Sequence, residues 1–500
     1  MREIFDADVI VVGAGPVGTV ALGLMGRAGL RAIGIDKDQQ IWPTARAVHF
    51  DGETFRTLQS LGVTDEFRKV TIPMASMHME NEAREILLRL PTGQFGSQGW
   101  HDDLNFHQPD IEALLRDVVD GLPNVDLRVG VEALAVRNTD IGVEVDIRDA
   151  DGSETTLRAR WAIAADGARS AVRQSFGIEA DRFGEDRQWV VVDGHLVDSP
   201  GYEDDMIFLG HHTRPALWVR LPGSRVRMEF MVMPGDDPEE IVTPEGIERI
   251  SHGVLPADRF TPDRQVLYTF RGRIARQWRI GNVFLAGDAA HLAPPMFGQG
   301  LCAGIRDVAN LSWKLDLVAR GLADDGLLDT YETERKPHAR AWVEQAVQAA
   351  LYVQTTDPAV AAERDAVIRA NPASLAPVSP RLGPGIHTGD VDERAGALSV
   401  QPILEDGTRL DDLVGRRFVV AAAREAYDAL DPDLRSRLED DRDVAVLLDE
   451  SQTRGLLEAS GGLGVVVRPD RYVLGVADSA AELAALIQRL PSQSRPAVAV

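Results

Sequence analysis

Three glycines, Gly13, Gly15 and Gly18, follow the apolar run Val9-Ile10-Val11-Val12 at a spacing suited to holding a pyrophosphate. Gly13 permits a tight turn, Gly15 removes the side chain that would block the phosphates, and Gly18 lets a helix pack close to the preceding strand. The helix that starts near Pro16 then presents free N–H groups and a partial positive charge. Asp36 ends a second apolar run, Arg31 to Ile35, where its carboxylate can accept from a ribose hydroxyl, and Lys37 follows it. An adenine dinucleotide is the ligand this arrangement implies.

Two more acid–glycine pairs carry chemistry of the same kind. Asp166-Gly167 closes the strand-like Trp161-Ala162-Ile163-Ala164-Ala165, at the carboxyl edge where open α/β sheets bind ligands. Asp166 reads equally as a helix N-cap and as a ligand contact. Gly287-Asp288 closes Asn282 to Ala286 in the same way, and there Asp288 can accept from a ribityl hydroxyl. Pro294 and Pro295 stiffen the next loop, and Gly298 and Gly300 open a helix through Leu301 and Cys302 with no side chains in the way. Its N-terminal N–H groups could face a flavin ring, where the helix dipole favours negative charge. The bland alternative is a proline–glycine loop leading into an ordinary capped helix.

Candidates for acid–base work and substrate binding are less sharply defined. His195, His211 and His212 lie in the sheet-like region, and histidine has suitable acidity for proton transfer near neutral pH. Arg220, Arg225 and Arg227 could hold a substrate carboxylate in a fork. His211 and Arg220 are the catalytic candidates, with a structural or surface role as the alternative for each.

The elements that must position these groups follow from pattern. The chain has 500 residues, enough for two or three domains. From Asp8 to about Ala180, short apolar runs alternate with amphipathic helices, as in a parallel sheet with crossover helices. The pattern then changes to period-two strands: Val226, Met228, Phe230 and Val232 share one face. After the 282–286 strand comes a helix with an apolar stripe of Leu301, Ile305, Val308, Leu311, Leu315 and Val318. A helical segment follows at 330–354, begun or kinked by Pro337, and then a proline-rich linker around a short helix. The rest reads as a small α/β domain, its last helix capped by Ser479 with Glu482. The expected division is 1–180 and 276–354 for the dinucleotide domain, 181–275 for a β-sheet substrate domain, 355–386 for the linker and 387–500 for the last domain.

A formal net charge of −25 argues against nucleic acid or an anionic membrane as partner. Cys302 is the single cysteine, which excludes an internal disulfide, a CxxC pair and a multi-cysteine metal site; no metal is expected. Acidic residues stand where a signal peptide would have its apolar core, and no apolar run is long enough to span a bilayer, so a cytoplasmic location is expected.

Taken together, the three motifs resemble the FAD-dependent aromatic hydroxylases of the single-component flavoprotein monooxygenase family, and within it the 3-(3-hydroxyphenyl)propionate hydroxylase branch. The branch likeness rests on Arg46-Ala47-Val48, Glu53 to Gln59, Phe106 to Asp110, Glu229-Phe230-Met231 with Pro234-Gly235, and Gly298 to Leu315. It implies an α/β fold: a Rossmann-like FAD-binding domain, an inserted antiparallel β-sheet substrate domain, and a thioredoxin-like C-terminal domain. That last domain lacks CxxC, so its implied role is packing or homodimer contact. The residues implied to hold FAD are Gly13, Ala14, Gly15, Pro16, Val17, Gly18, Asp36, Lys37, Arg46, Gln108, Asp166, Gly287, Asp288, Pro295, Gly298, Gly300, Leu301 and Cys302. Arg46 would approach the pyrophosphate, and Gln108 would hydrogen-bond the cofactor near its flavin end. Asp36 replaces the glutamate more usual in the family. Cys302 stands where many relatives carry asparagine and is read as a packing residue.

The implied reaction uses FAD, NADH or NADPH as a transient reductant, and molecular oxygen. It hydroxylates the phenolic ring of a 3-(3-hydroxyphenyl)propionate-like substrate ortho to its hydroxyl by way of a flavin hydroperoxide. Alternatives are a tailoring monooxygenase of an aromatic polyketide or other larger phenol, a flavin-free NAD-dependent dehydrogenase, and a non-catalytic FAD-binding protein. The 288–300 segment argues against the dehydrogenase.

Overall fold

The computed structural model describes residues 5–43, 45–196, 205–251, 260–372, 376–389 and 391–491. Its first sheet grows outward from strand Ala7–Val12, whose Val9, Ile10 and Val11 are fully buried. A strand covered on both faces needs apolar residues at every position, which is why this one reads as a continuous run. It pairs in parallel with Ala32–Asp36 on one side and Glu154–Ala164 on the other. Val125–Val129 and Val283–Leu285 extend the sheet in parallel beyond these two. The three motif loops therefore emerge from one carboxyl edge. Helix Pro16–Arg27 starts on proline, whose missing N–H is not needed at that position.

The second sheet has eight strands in the order His291–Leu292, Phe260–Ala275, Ala180–Leu196, Arg225–Met231, Ala216–Arg220, Asp205–Leu209, Ser76–Glu80 and Ile86–Pro91. The region 181–275 supplies most of it, but its last two strands come from 76–91, a contribution the period-two pattern did not disclose. Met77 and Met79 pair with Met206 and Phe208 and share their core, so burial draws this distant segment into the sheet.

Helix Gln299–Ala319, the central helix, is buried well beyond its apolar stripe: Arg306, Asp307, Asn310, Ser312 and Lys314 are each at most 4% exposed. Helix Gly326–Val353 packs against it, begins earlier than expected, and keeps Pro337 inside. The turn around Pro337 is engaged from outside, where the Gly383 N–H donates to the Glu334 carbonyl at 2.9 Å. Helix Pro358–Ala370 interrupts the linker region.

The C-terminal α/β unit has a four-stranded sheet in the order Val444–Leu447, Phe418–Ala422, Gly464–Val467, Val473–Ala477. Its last helix, Ala480–Gln488, is capped by Ser479, which accepts from the Glu482 N–H at 3.3 Å; the Glu482 carboxylate returns the bond to Asp478 N. Among the described residues no helix is long and apolar enough to cross a membrane.

The C-terminal unit is tied to the helices by buried charge. Both Arg468 terminal nitrogens donate to Glu334 at 2.8 Å, and Asp470 accepts from Arg468 and from Asn310. Lys314 donates to Glu334 at 2.7 Å. Burial alone would raise the Glu334 carboxyl, but Arg468 and Lys314 hold it well below the ordinary range. Arg468→Met leaves that buried charge short of a partner and is expected to cost about 3–5 kcal/mol in chemical denaturation. Because Glu334 then titrates nearer its ordinary value of 4.5, the variant should also lose less of its remaining stability as pH falls below that value.

Candidate FAD and substrate site

The glycines of the first loop do different work. Gly13 has φ +95°, and a Cβ there would lie 2.4 Å from the Ala165 carbonyl oxygen. A Cβ on Gly18 would lie 1.9 Å from the Gly13 oxygen, so that glycine sets the contact between helix and turn. A Cβ on Gly15 meets nothing within 4 Å, which leaves open space over the helix start. The Pro16–Arg27 helix has no side-chain cap and no acid in its first turn, so its first N–H groups remain available to an anion. Ala14 is buried, and Val17 packs beneath Gly287 and Gly304, joining the first loop to the third and to the central helix. Asp36 accepts from the Ala14 N–H at 2.7 Å and from the Asp38 N–H at 2.9 Å; Lys37 beside it is exposed. The acid thus shapes the glycine loop as well as facing the nucleotide side.

At the adjacent strand end, Asp166 Oδ2 accepts from the Val172 N–H at 3.1 Å, while its Oδ1 is buried with no partner. Ser170, and not Asp166, caps the following helix. Asp288 lies at the end of the next strand, since Ala164 pairs with Leu285. Burial pushes its carboxyl up, although His291 and Arg46 pull the other way. The orphaned Asp166 oxygen and the Asp288 carboxyl stand at neighbouring strand ends, where ribose or ribityl hydroxyls could donate to them.

The loop carrying Asp288 is held from below. Asp307 of the central helix accepts from the Gly287 N–H at 3.1 Å, from His291 at 2.7 Å and from Arg335 at 3.0 Å. Burial would raise the Asp307 carboxyl, but His291 and Arg335 hold it below its ordinary range. Beyond the Pro295–Phe297 turn, Gly298 takes φ +63° and starts the central helix; a Cβ there would lie 2.4 Å from His49 Nδ1. This helix, too, has no side-chain cap and no acid in its first turn, and Gly300 faces open space. Leu301 is half-buried, and Cys302 turns its thiol inward, 3.6 Å from the Gly298 oxygen. Only the Cys302 backbone is placed to meet a ligand at the helix start.

Several groups around this helix escaped the sequence reading. His49, 2% exposed, meets Asp103 at 2.5 Å; burial alone would lower it, yet Asp103, with Cys302 beside it, holds the imidazole up at about 10. Arg306 pairs with Glu53 at 2.5 Å and also with Asp51, and it donates to Gln299 at 2.8 Å. Tyr472 of the C-terminal unit donates to Glu53 at 2.7 Å. The available signal was a charged pair, Arg306-Asp307, inside a helix whose neighbours are too apolar to leave it exposed.

Gln108 bonds the protein itself. Its Oε1 accepts from the N–H groups of Arg46 and Ala47 at 2.8 and 2.7 Å, and its Nε2 donates to Glu112 at 2.6 Å. The amide is engaged in holding the loop that carries Arg46, so it acts on the site through that loop. From the other side Arg227 donates to the carbonyls of Ala45 and Arg46 at 2.5 and 3.0 Å and forks onto Asp193 at 2.7 and 2.9 Å. The Arg46 side chain itself is exposed.

Between the second sheet and the 295–297 turn lies a largely apolar cavity lined by Met77, His78, Met79, Leu88, Leu90, Phe208, Met296, Phe297, Ala349, Tyr352 and Val353. The histidines and arginines proposed from sequence lie elsewhere. His211 is half-buried, its Nε2 without a partner and its basicity lowered by burial. Arg220 donates to the Arg225 carbonyl at 3.3 Å, and Arg225 stands 3.8 Å from Asp110. His195 bonds Ser224 and Asp263, and His212 stands beside Glu82. None of these lines the cavity. The fork of Arg227 is already filled by Asp193, because their strands pair in a register that sets the two residues opposite each other.

Comparison with known proteins agrees with this geometry. The family model described as FAD binding domain matches residues 6–346. A 3-(3-hydroxy-phenyl)propionate/3-hydroxycinnamic acid hydroxylase of Mycolicibacterium smegmatis is 31% identical over 523 residues, covering 95% of this chain and 92% of the relative. A probable NADH-specific resorcinol 4-hydroxylase of Rhodococcus jostii is 32% identical, covering 98% and 96%. Among solved structures, aklavinone-11 hydroxylase with FAD and aklavinone superposes with a TM-score of 0.80 at 24% identity, covering 98% of this chain and 99% of that one. The flavin-dependent monooxygenase PieE with FAD and substrate gives 0.80 at 23%, covering 97% and 99%. These two bear on the fold.

The cradle makes two glycine substitutions separable. Gly15→Val is expected to leave the thermal stability of the apoprotein nearly unchanged while weakening FAD binding by about tenfold or more, read by flavin fluorescence titration. Gly18→Ala drives its new methyl into the Gly13 carbonyl and should destabilise the apoprotein itself by about 2–3 kcal/mol. The chain belongs to the FAD binding domain family as one of its FAD-dependent aromatic hydroxylases: it is a flavoprotein monooxygenase similar to the 3-(3-hydroxyphenyl)propionate hydroxylases.

Proposed function

We propose that this monooxygenase hydroxylates a small phenol, ortho to its hydroxyl, using molecular oxygen and either NADH or NADPH. When bound, FAD supplies the redox chemistry, taking electrons from the nicotinamide and activating oxygen. The residues that would hold it are the 13–18 loop and Asp36 at the adenosine end, Arg46 at the pyrophosphate, Asp166 and Asp288 at the hydroxyls, and the 295–302 segment at the ring. Arg46 reaches its position through a loop gripped by Gln108 and Arg227.

The observation that carries the reading is the apolar cavity beside the 295–297 turn, walled by methionine and aromatic side chains. Such walls suit a flat ring and exclude water from the place where oxygen transfer must outrun loss of peroxide. The cavity also bears on which phenol. Among the described residues its lining offers no arginine or lysine, its one histidine, His78, is engaged with Glu80 at 3.1 Å, and Arg227 is committed to Asp193. An uncharged phenol of the resorcinol type, the substrate in the name of the Rhodococcus relative, therefore fits better than a phenylpropionate whose carboxylate would lack a partner there. The enclosing side chains likewise favour one ring over a fused polycycle.

A panel of resorcinol, 3-(3-hydroxyphenyl)propionate and a polycyclic quinone tests this, read by nicotinamide consumption and product mass. Resorcinol-type phenols should stimulate nicotinamide oxidation and give a product heavier by one oxygen, with kcat/KM at least about tenfold above the phenylpropionate. Protein that retains FAD but shows no phenol-stimulated oxidation would sink the reading.

A further inference from the structure

Strand register places one acidic side chain on the sheet face that roofs the cavity, two strands from the cavity wall at Phe208. Reading across the second sheet, Val266, Val191, Glu229, Leu217, Phe208, Met79 and Leu88 form a single transverse row. Phe208, Met79 and Leu88 from this row line the cavity, and Met231, two residues beyond Glu229 on the same face, shares a core with Met296. Glu229 is therefore the one polar member of an otherwise apolar row that continues into the cavity wall. It is 5% exposed, and its Oε2 is buried with no hydrogen-bond partner. A buried carboxyl oxygen left unsatisfied is costly, and it is retained most readily where a ligand completes it.

The charged and titratable groups that face Glu229 are few. Arg227 lies on its own strand, two residues away on the same face and forked onto Asp193 of the neighbouring strand. Arg264 and Tyr268 lie on the strand beyond, bonded to each other at 3.0 Å. Leu217, directly opposite on the other flank, is apolar. Burial, together with Asp193, pushes the Glu229 carboxyl up to about 7, with Arg227 pulling the other way. That narrows the gap to a phenol, which ordinarily ionises near ~10.

We propose that Glu229 is the group that takes the proton from the substrate's ring hydroxyl. The O–H bond breaks with its electron pair left on the ring oxygen, and the proton bonds to Oε2. The single negative charge moves from carboxylate to phenolate, with no change in oxidation state, and the ring carbon ortho to that oxygen becomes more nucleophilic. Arg227, fixed on the same face by Asp193, offsets the charge wherever it resides. The proposal rests on the phenol reading above and extends it.

The test uses the FAD-loaded enzyme with resorcinol and, as a ring that cannot ionise, 1,3-dimethoxybenzene. In the wild type, ultraviolet difference spectra should show a phenolate band for bound resorcinol that fades as pH falls through about 7. Glu229→Gln should lose that band and lose about 100-fold in kcat, with a much smaller change in KM and unchanged affinity for the dimethoxy compound. Glu229→Asp should keep the band with a shifted midpoint. A Glu229→Gln enzyme that retains the band and the wild-type pH profile overturns the assignment, as does one that loses FAD and thermal stability together, since that result makes the residue structural. If wild-type enzyme with bound FAD shows no spectral response to any phenol while binding other ligands, the phenol reading itself fails, and the assignment with it.

Discussion

The carboxylate of Asp307 is the point on which the site hangs. It is fully buried, and a charge in that position is tolerated only when its oxygens are satisfied. The Gly287 N–H, His291 and Arg335 satisfy them, and in doing so they place the Asp288 loop, the 291–292 strand and the long helix against the central helix. Its neighbours on that helix repeat the arrangement toward other parts of the molecule. Arg306 reaches the Asp51–Glu53 helix start, and Asn310 and Lys314 reach Glu334. A helix that must present its N-terminus to a ligand without side-chain caps has to be located by its sides, and these charges locate it.

The same logic governs the ligand edge. Gly13 and Gly18 are required by the protein's own backbone, whereas Gly15 and Gly300 face open space. Asp166 is left with an unpartnered oxygen at the carboxyl edge, and the Arg46 side chain stays exposed above a loop fixed by Gln108 and Arg227. An acidic protein thus meets an anionic cofactor with uncapped helix ends and one local cation.

The two added units are coupled to this edge by buried contacts rather than by chain connection alone. The second sheet supplies Arg227 to the Arg46 loop, so the sheet that roofs the cavity also steadies that loop. The C-terminal unit sends Tyr472 to Glu53 and Arg468 to Glu334, both one step from the central helix. With no CxxC, its visible work is to complete those polar networks, whose members would be left buried and unpaired without it.

What was legible from the residues alone was local. The three motif loops, the parallel strands that carry them, the uncapped helix at Gly298 and the Ser479 cap follow from glycine freedom, apolar runs and i to i+3 bonding, all of which act within a few residues. The partners of His49, Gln108, Arg227 and Asp307 are not of that kind, since Asp103, Arg46, Asp193 and Gly287 become neighbours only when distant segments pack. The addition of 76–91 to the second sheet and the row that holds Glu229 were likewise decided by strand register, where a shift of one residue would turn every side chain to the opposite face. The sequence determined a dinucleotide-binding edge and, through its motifs, a flavoprotein resemblance. Only the tertiary structure decided which buried charges fix that edge and which acidic side chain shares a sheet face with the cavity wall, because burial and long-range pairing set those choices and neither is written in local spacing.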